Sequence, residues 1–172
     1  MTLNNIPEDY DFQDFEIENE DWSIYRVEDG TIIRLRIFLS AVSKARPDSN
    51  NPNSVGYELR LSPVNTIAIS DPKNRGNPTP GAFTSQQLQE SIVKEDMEFI
   101  VIQEPWNTYR LKDGTKLGIR IQAVKISKTD KYDAKGIPAY FINHQPQIKT
   151  TLPPELKKKQ VRITRQPSNS II

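Results

Sequence analysis

Few side chains in this chain have the types and spacing that catalysis requires. His144 is the only histidine among 172 residues, and cysteine does not occur. Disulfides, thiolate metal sites, iron–sulfur clusters and a cysteine nucleophile are therefore excluded. The sequence also lacks a phosphate-binding glycine loop and a Gly-x-Ser-x-Gly nucleophile elbow. We expect no catalytic residue, no metal and no cofactor. An enzyme that uses carboxylates is the least favoured of the three functions considered below.

Aspartates beside glycine are the remaining candidates for chemistry. Asp130 and Asp133 share a loop with Gly136, but the ordered set of oxygen ligands that calcium requires is absent. Asp29 and Asp113 each directly precede a glycine. Because Asp and Gly are ordinary turn residues, we interpret all four aspartates as turn formers.

Charge is distributed unevenly along the chain, although the formal net charge is only +1. Residues 8–29 contain ten acids and one base, whereas residues 149–172 contain six bases and one acid. Lysine and arginine neutralise phosphates without reading sequence. The candidate nucleic-acid-binding residues are therefore Lys157, Lys158, Lys159, Arg162 and Arg165. Candidate stacking platforms for bases are Tyr25, Tyr57, Tyr109 and Tyr140, although the hairpin register derived below places Tyr25 and Tyr109 on the core side. The alternative interpretation is a pair of solvated tails.

A repeat is the clearest feature of the sequence. Residues 15–44 match residues 99–128 at an offset of 84, with 12 identities in 30 positions and no gap. A weaker match continues at an offset of 83, where Tyr57 and Pro63 correspond to Tyr140 and Pro146. We interpret the repeat as a duplication. Its signature residues are Trp22, Tyr25, Asp29, Gly30 and Arg36 in the first copy, and Trp106, Tyr109, Asp113, Gly114 and Arg120 in the second.

The repeated Asp-Gly predicts a β-hairpin. A three-residue loop, Glu28-Asp29-Gly30, pairs Tyr25 with Ile33 and brings the apolar side chains of both strands onto one face, which a two-residue loop does not. This turn requires a left-handed glycine, so positive φ is predicted at Gly30 and Gly114. The hairpin resembles the strand–glycine–strand pattern of Sm-like and other small barrels, and no residue role is carried over from that resemblance.

The same register places a tryptophan opposite an arginine on the other face of each hairpin. The two pairs are Trp22 with Arg36 and Trp106 with Arg120. Such pairs either brace the hairpin as ordinary cross-strand contacts or form a surface stacking site for a base or a partner side chain.

Further strands and helices complete the predicted units. Each unit begins with a strand, at Phe15–Glu18 or Glu98–Ile102, and contains later strands at 56–61 and 66–70, or at 139–143 and 148–152. Pro63 and Pro146 are expected to end or bend strands. A helix is expected after Thr84, with Gln87 completing a capping box and an apolar stripe at Leu88, Ile92 and Val93. A second helix is expected from Glu155.

These elements give an expected domain order. It comprises an acidic arm at 1–14, a first β-unit at 15–71, a linker with a short helix at 72–97, a second β-unit at 98–156 and a basic tail at 157–172. The predicted fold is all-β with one or two short helices, as a tandem duplication of a small barrel or sandwich unit with pseudo-twofold symmetry.

Three functions remain, in order of preference. The first is a non-catalytic assembly, accessory or scaffold protein that binds other subunits, or itself, through sheet edges and charged tails. The second is a nucleic-acid-binding protein that uses the basic C-terminal segment, and the third is the enzyme. No small-molecule ligand is inferred. The longest apolar run, Phe99–Ile102, is too short to span a bilayer, and no signal peptide is apparent. We expect a soluble, cytoplasmic protein.

Overall fold

The computed structural model describes residues 11–45, 49–51, 53–156 and 159–165. These residues form an all-β fold of curled sheets with one short helix, α1 (Ser85–Glu90), and short 3₁₀ turns at Pro72–Asn74 and Pro154–Leu156. The strands are β1 (Asp11–Gln13), β2 (Phe15–Asn19), β3 (Ser23–Val27), β4 (Ile32–Ala45), β5 (Ser54–Ile69), β6 (Ile92–Lys94), β7 (Phe99–Gln103), β8 (Asn107–Leu111), β9 (Lys116–Tyr132), β10 (Pro138–Thr151) and β11 (Gln160–Arg165). Within the described ranges, no helix has the length and apolar character needed to cross a membrane.

Two sheets share one hydrophobic core. The six-stranded sheet has the order β11-β5-β4-β3-β7, and β1 also pairs with β4. The five-stranded sheet has the order β10-β9-β8-β2, and β6 also pairs with β9. Alternate residues along β4, such as Ile33, Leu35 and Ile37, are buried because successive side chains of a strand point to opposite faces.

Both hairpins have the predicted register. Tyr25 pairs with Ile33 and is fully buried. The Val27 N–H donates to the Thr31 carbonyl at 2.8 Å, and the Leu111 N–H donates to the Thr115 carbonyl at the same distance. Gly30 has a φ of 86° and Gly114 a φ of 87°, so the prediction of two left-handed glycines is confirmed.

The leading strands pair with the hairpin of the other half of the chain, not with their own. Phe15 of β2 lies beside Leu111, and Phe99 of β7 lies beside Val27. The two registers are equivalent, since the residues of one pairing become those of the other when the offset of 84 is applied. The expectation that each unit contains its own leading strand is therefore wrong. Either hairpin offers the same edge, and the strand that covers it comes from the other half.

Two prolines were expected to end or bend their strands, and neither of them ends its strand. Pro63 lies within β5 opposite Ile37, and Pro146 lies within β10 opposite Ile121. β11 pairs only with the first part of β5, and β10 pairs only with β9, so both prolines stand where one side of the strand has no paired neighbour in the described structure. Proline is tolerated at such an edge because its missing N–H is not needed there.

Of the two helices expected from the sequence, the first has the predicted N-terminus but is shorter than expected. Thr84 and Gln87 form the expected capping box. The helix ends at Glu90, however, and Val93 is an exposed residue of β6, so the expected stripe reduces to Leu88. Among the described residues from Glu155 onward there is no second α-helix: a 3₁₀ turn at Pro154–Leu156 is followed by β11, which runs parallel to β5. Residues 157–158, on which part of the expected helix falls, lie outside the described residues.

The positive φ at each hairpin turn gives a first prediction. Replacing Gly30 or Gly114 with alanine should lower the free energy of unfolding by about 1 kcal/mol, because a Cβ is disfavoured in this conformation. The expected cost comes from the backbone, since the nearest atoms to a Cβ at Gly30 lie 4.0 Å away. Urea unfolding measures the effect. Gly30→Asn should cost less, because asparagine tolerates positive φ, and an unchanged Gly30→Ala protein would contradict the assigned strain.

Candidate functional site

A buried tyrosine from each half closes the hairpin turn of the other half. The Tyr57 hydroxyl donates to the Asp113 carboxylate and lies 2.9 Å from the Thr115 hydroxyl. The Tyr140 hydroxyl donates to the Asp29 carboxylate, and it lies 2.8 Å from the Thr31 hydroxyl. Each aspartate also accepts the N–H of the threonine two residues later. The repeated Asp-Gly-Thr therefore organises the turn and anchors the other half of the chain.

These contacts determine the ionisation of both aspartates. Burial acts to raise the pKa of Asp29, but hydrogen bonds from Tyr140 and Thr31 and the charge of Lys128 outweigh it, so the pKa is lowered. The pKa of Asp113 is lowered in the same way, by Tyr57 and Thr115 against the effect of burial. Burial, followed by the hydrogen bond to the aspartate, raises the pKa of each tyrosine. A low pKa and committed hydrogen bonds are typical of structural carboxylates.

The four tyrosines proposed as stacking platforms are all buried. The Tyr25 hydroxyl donates to Glu104 at 2.8 Å and accepts the Ala123 N–H at 2.9 Å. Burial, with the nearby Glu20 charge, raises the pKa of Tyr109 to about 12. None of the four rings is available to stack on a base, so the prediction of tyrosine platforms is wrong. Their apolar rings fill the core, and the hydroxyls of Tyr25, Tyr57 and Tyr140 are hydrogen-bonded there.

The predicted tryptophan–arginine pairs are present on the outward side of the hairpins. The Arg36 guanidinium lies 5.5 Å from the Trp22 ring centroid and 4.9 Å from that of Phe38, and it forms a 3.4 Å ion pair with Glu20. In the other half, the Arg120 guanidinium lies 4.8 Å from the Trp106 ring. Arg36 is thus held between two rings and a carboxylate.

The outward side of the six-stranded sheet carries many apolar side chains. Four of them are between 42% and 61% exposed, and three are half-buried. They extend across β3, β4, β5 and β7, and an exposed apolar patch of this kind marks an interaction site. We call these side chains the apolar face: Ile24, Ile32, Phe38, Val64, Ile69, Ile100 and Ile102.

The seven equivalent positions on the five-stranded sheet are polar, while the exposed Val124 of its β9 corresponds to Ser40 of β4. Equivalent positions are 84 residues apart in the hairpins and leading strands. In β5 and β10 they are the residues that pair with equivalent hairpin positions, as Val64 pairs with Arg36 and Gln147 pairs with Arg120. All seven equivalents of the apolar face are polar or charged, and we call them the polar face: Thr108, Lys116, Gln122, Gln147, Thr151, Glu16 and Glu18.

The two faces also differ in how their arginines are paired. On the polar face, Arg110 forms ion pairs with Glu16 and Glu18, both at 3.2 Å. Its equivalent, Arg26, lies beside Ile100 on the apolar face. Among the described residues, no carboxylate oxygen lies within 4 Å of Arg26 or Arg34, and both arginines are exposed. The apolar face is therefore positively charged.

The other predicted site residues are dispersed. Arg162 and Arg165 lie in β11 and Lys159 just before it, whereas Lys157 and Lys158 fall outside the described residues. The Asp133 carboxylate accepts the N–H groups of Lys135 and Ile137 and so shapes its own turn. His144 is exposed on β10. Across the described ranges, no three metal-ligating side chains cluster.

The apolar face was missed when the sequence was considered alone. The identities between the repeats predict the core and the turns, which both copies need for folding. The signal for the face lies in the differences, where an outward residue is isoleucine in one copy and threonine, lysine or glutamate in the other.

The lowered pKa values of the turn aspartates give a second prediction. A carboxyl group whose pKa is lower in the folded protein stabilises the fold above its unfolded pKa, near 3.9, and this contribution is lost as pH falls through the folded pKa. Replacing both Tyr57 and Tyr140 with phenylalanine should cost about 1–2 kcal/mol per site at pH 7. It should also reduce the further loss of stability below about pH 4.

Urea unfolding from pH 7 down to acid tests this. Tyr25→Phe is the matched control, because its hydroxyl contacts Glu104 and not a turn aspartate; it should lower stability while keeping the acid dependence. An acid dependence in the double variant as steep as that of the unmodified protein would contradict the assignment.

Comparison with known proteins adds no relative from which a role could be transferred. The chain matches no protein-family model, no curated protein and no solved structure. The geometry of the two faces is therefore the basis for inferring function.

Proposed function

We propose that this chain is a non-catalytic assembly or accessory protein that binds another protein through the apolar face. One observation carries the proposal: every residue of the apolar face has a polar or charged equivalent on the polar face. For Ile69 the equivalent is defined by strand pairing as Thr151, whereas the offset of 83 matches it with Leu152. The polar face supports the same hairpin and the same sheet order, so folding does not require isoleucine at these positions. A covering partner gives the reason for their apolar character.

The composition of the apolar face suits a protein partner. Fully burying an exposed isoleucine is worth about 1.5–3 kcal/mol. The most exposed side chains of the apolar face are 42–61% exposed, so about half of that value remains for a partner to gain at each of them. Arginine is enriched at protein interfaces, and Arg26 and Arg34 stand among the apolar side chains. A partner that brings carboxylates to these arginines gains specificity as well as apolar contact.

We also propose that the chain arose by tandem duplication of one β-unit and that its halves have pseudo-twofold symmetry, with the sheets packed as a sandwich. The matching residues at 15–44 and 99–128 support this, as do the equivalent registers of β2 and β7. The reciprocal contacts of Tyr57 and Tyr140 support it independently. After duplication, both copies kept the residues for folding, and only one face acquired the apolar residues for binding.

A nucleic-acid-binding function is the alternative. It draws on the exposed arginines of the apolar face and on the basic residues of the C-terminal segment. Interfaces with nucleic acid are strongly positive and polar, however, and seven aliphatic or aromatic side chains do not suit phosphate groups. Arg36 is already engaged by Trp22, Phe38 and Glu20. The protein partner is therefore preferred. A cytoplasmic location is part of the same proposal and is checked by cell fractionation.

Exchanging face residues for their equivalents gives the third prediction. The variant Ile24→Thr, Val64→Gln, Ile69→Thr carries the residues of Thr108, Gln147 and Thr151. It should keep the fold, because the polar face accommodates the same residues, and it should lose about tenfold or more of the captured partner. Quantitative mass spectrometry after affinity purification from the native host measures the loss.

The matched control changes the polar face by the same number of residues: Thr108→Ser, Gln147→Asn, Thr151→Ser. It should capture the partner as the unmodified protein does. Equal capture by both variants would overturn the proposal. Titration with labelled single-stranded DNA and RNA at low and high salt tests the alternative; tight, salt-dependent binding that is lost on replacing Arg34 with glycine, the residue at Gly118, would favour it.

A further inference from the structure

We infer that the open edge of β7 accepts an extended β-strand of the partner, a strand in which apolar and acidic side chains alternate. The inference rests on the proposed function, because β7 is the border of the apolar face. It adds the mode of binding, which is pairing of backbone groups along a sheet edge, and the charge of the occupant.

The geometry of β7 leaves one of its sides open. β7 ends the six-stranded sheet and pairs with β3 alone among the described strands. Its central residues Ile100, Val101 and Ile102 are 58%, 50% and 48% exposed. In a strand with one neighbour, half of the backbone N–H and C=O groups point to the open side and are free to pair with an added strand.

This edge lacks two of the devices that normally prevent strand addition, charged side chains and proline. The register shift of β7 against β3 also occurs in β2 against β8, so it does not distinguish the two edges. Natural edge strands are blocked by charged side chains, proline or bulges that turn the edge away. β7 consists of Phe-Ile-Val-Ile-Gln, without charge or proline. The equivalent edge β2 reads Phe-Glu-Ile-Glu-Asn, in which Glu16 and Glu18 stand at the positions of Ile100 and Ile102. The edge strand β2 therefore carries charged side chains that disfavour strand addition, and its equivalent β7 does not.

Charge complementarity selects the occupant. Arg26 lies directly beside Ile100 on β3, and Arg34 lies beside Ile24 on β4, so the outward side next to the open edge is positive. An added strand would lie two strand spacings, about 9.6 Å, from β3, a distance that an extended arginine and an extended glutamate span together over Ile100. Because the side chains of a strand alternate between its two faces, acidic residues of an added strand on this side would meet arginine beside Ile100 and Ile102. Its apolar residues would lie on the opposite face, beside Phe99 and Val101. A second copy of this chain paired through β7 would place the uncharged strand Phe-Ile-Val-Ile-Gln beside these arginines, and that strand supplies no carboxylate of its own, so a foreign acidic strand is preferred.

A designed peptide tests the inference directly. The probe is a fluorescein-labelled heptapeptide, Thr-Val-Glu-Val-Glu-Val-Thr, titrated with the full chain and followed by fluorescence anisotropy. A second peptide carries N-methyl groups on alternate residues, which remove backbone donors and leave the side chains. A third replaces glutamate with lysine. The acidic peptide should bind, and each of the other two should bind about tenfold or more weakly.

Two variants locate the site. Ile100→Glu with Ile102→Glu installs the guard found on β2 and should weaken binding of the acidic peptide about tenfold or more. Arg26→Gln leaves the edge intact and should remove most of the preference for the acidic peptide over the lysine peptide. Ile17→Thr, on the guarded edge, is the matched control and should change neither. Circular dichroism establishes that each variant is folded.

Each contrary outcome has a definite meaning. Equal binding of the methylated peptide would overturn strand addition, and equal binding of the lysine peptide would overturn the acidic occupant. A dimer detected by light scattering and abolished by Ile100→Glu would replace the foreign strand with a second copy. The face variant at Ile24, Val64 and Ile69 separates this inference from the proposed function: partner loss in that variant without any peptide binding leaves the proposed function standing and rejects the open edge.

Discussion

The exchange of leading strands between the two halves is the constraint on which the rest of the structure depends. Each hairpin exposes one edge, and the strand that covers it comes from the other half of the chain. Tyr57 and Tyr140 strengthen the exchange, because each places a hydroxyl in the turn of the opposite hairpin. Buried hydroxyls and carboxylates are costly unless they are paired. Neither half can therefore satisfy its own buried polar groups alone.

This arrangement separates folding from binding. The turn aspartates, the core tyrosines and the tryptophan–arginine pairs are committed to structure, and both halves contain them. The outward residues are not needed for these structural contacts, so equivalent positions in the two halves can differ. The apolar face and the polar face are two outcomes on the same framework, and the polar one indicates what the framework tolerates when nothing covers it.

Much of the local structure could be predicted from the sequence, because short-range physics decides it. The three-residue turn follows from the alternation of Tyr25 and Val27, and the capping box follows from Thr84 and Gln87. The strand exchange could not be predicted, since β2 fits both hairpin edges with the same register and only the three-dimensional path selects one. The sequence also did not predict that β5 and β10 continue past Pro63 and Pro146, because a proline is tolerated within a strand only where one strand edge is unpaired.

The coupling of the two halves is tested most directly by the two tryptophans, which occupy equivalent positions in the hairpins. Trp22→Phe leaves Trp106 as the reporter of one half, and Trp106→Phe leaves Trp22 as the reporter of the other. Urea unfolding of each variant is followed by fluorescence and by far-ultraviolet circular dichroism. Exchanged strands predict that both signals coincide in a single transition in each variant. A half whose tryptophan signal changes in a separate transition from the overall loss of strand structure would contradict the interlocked fold.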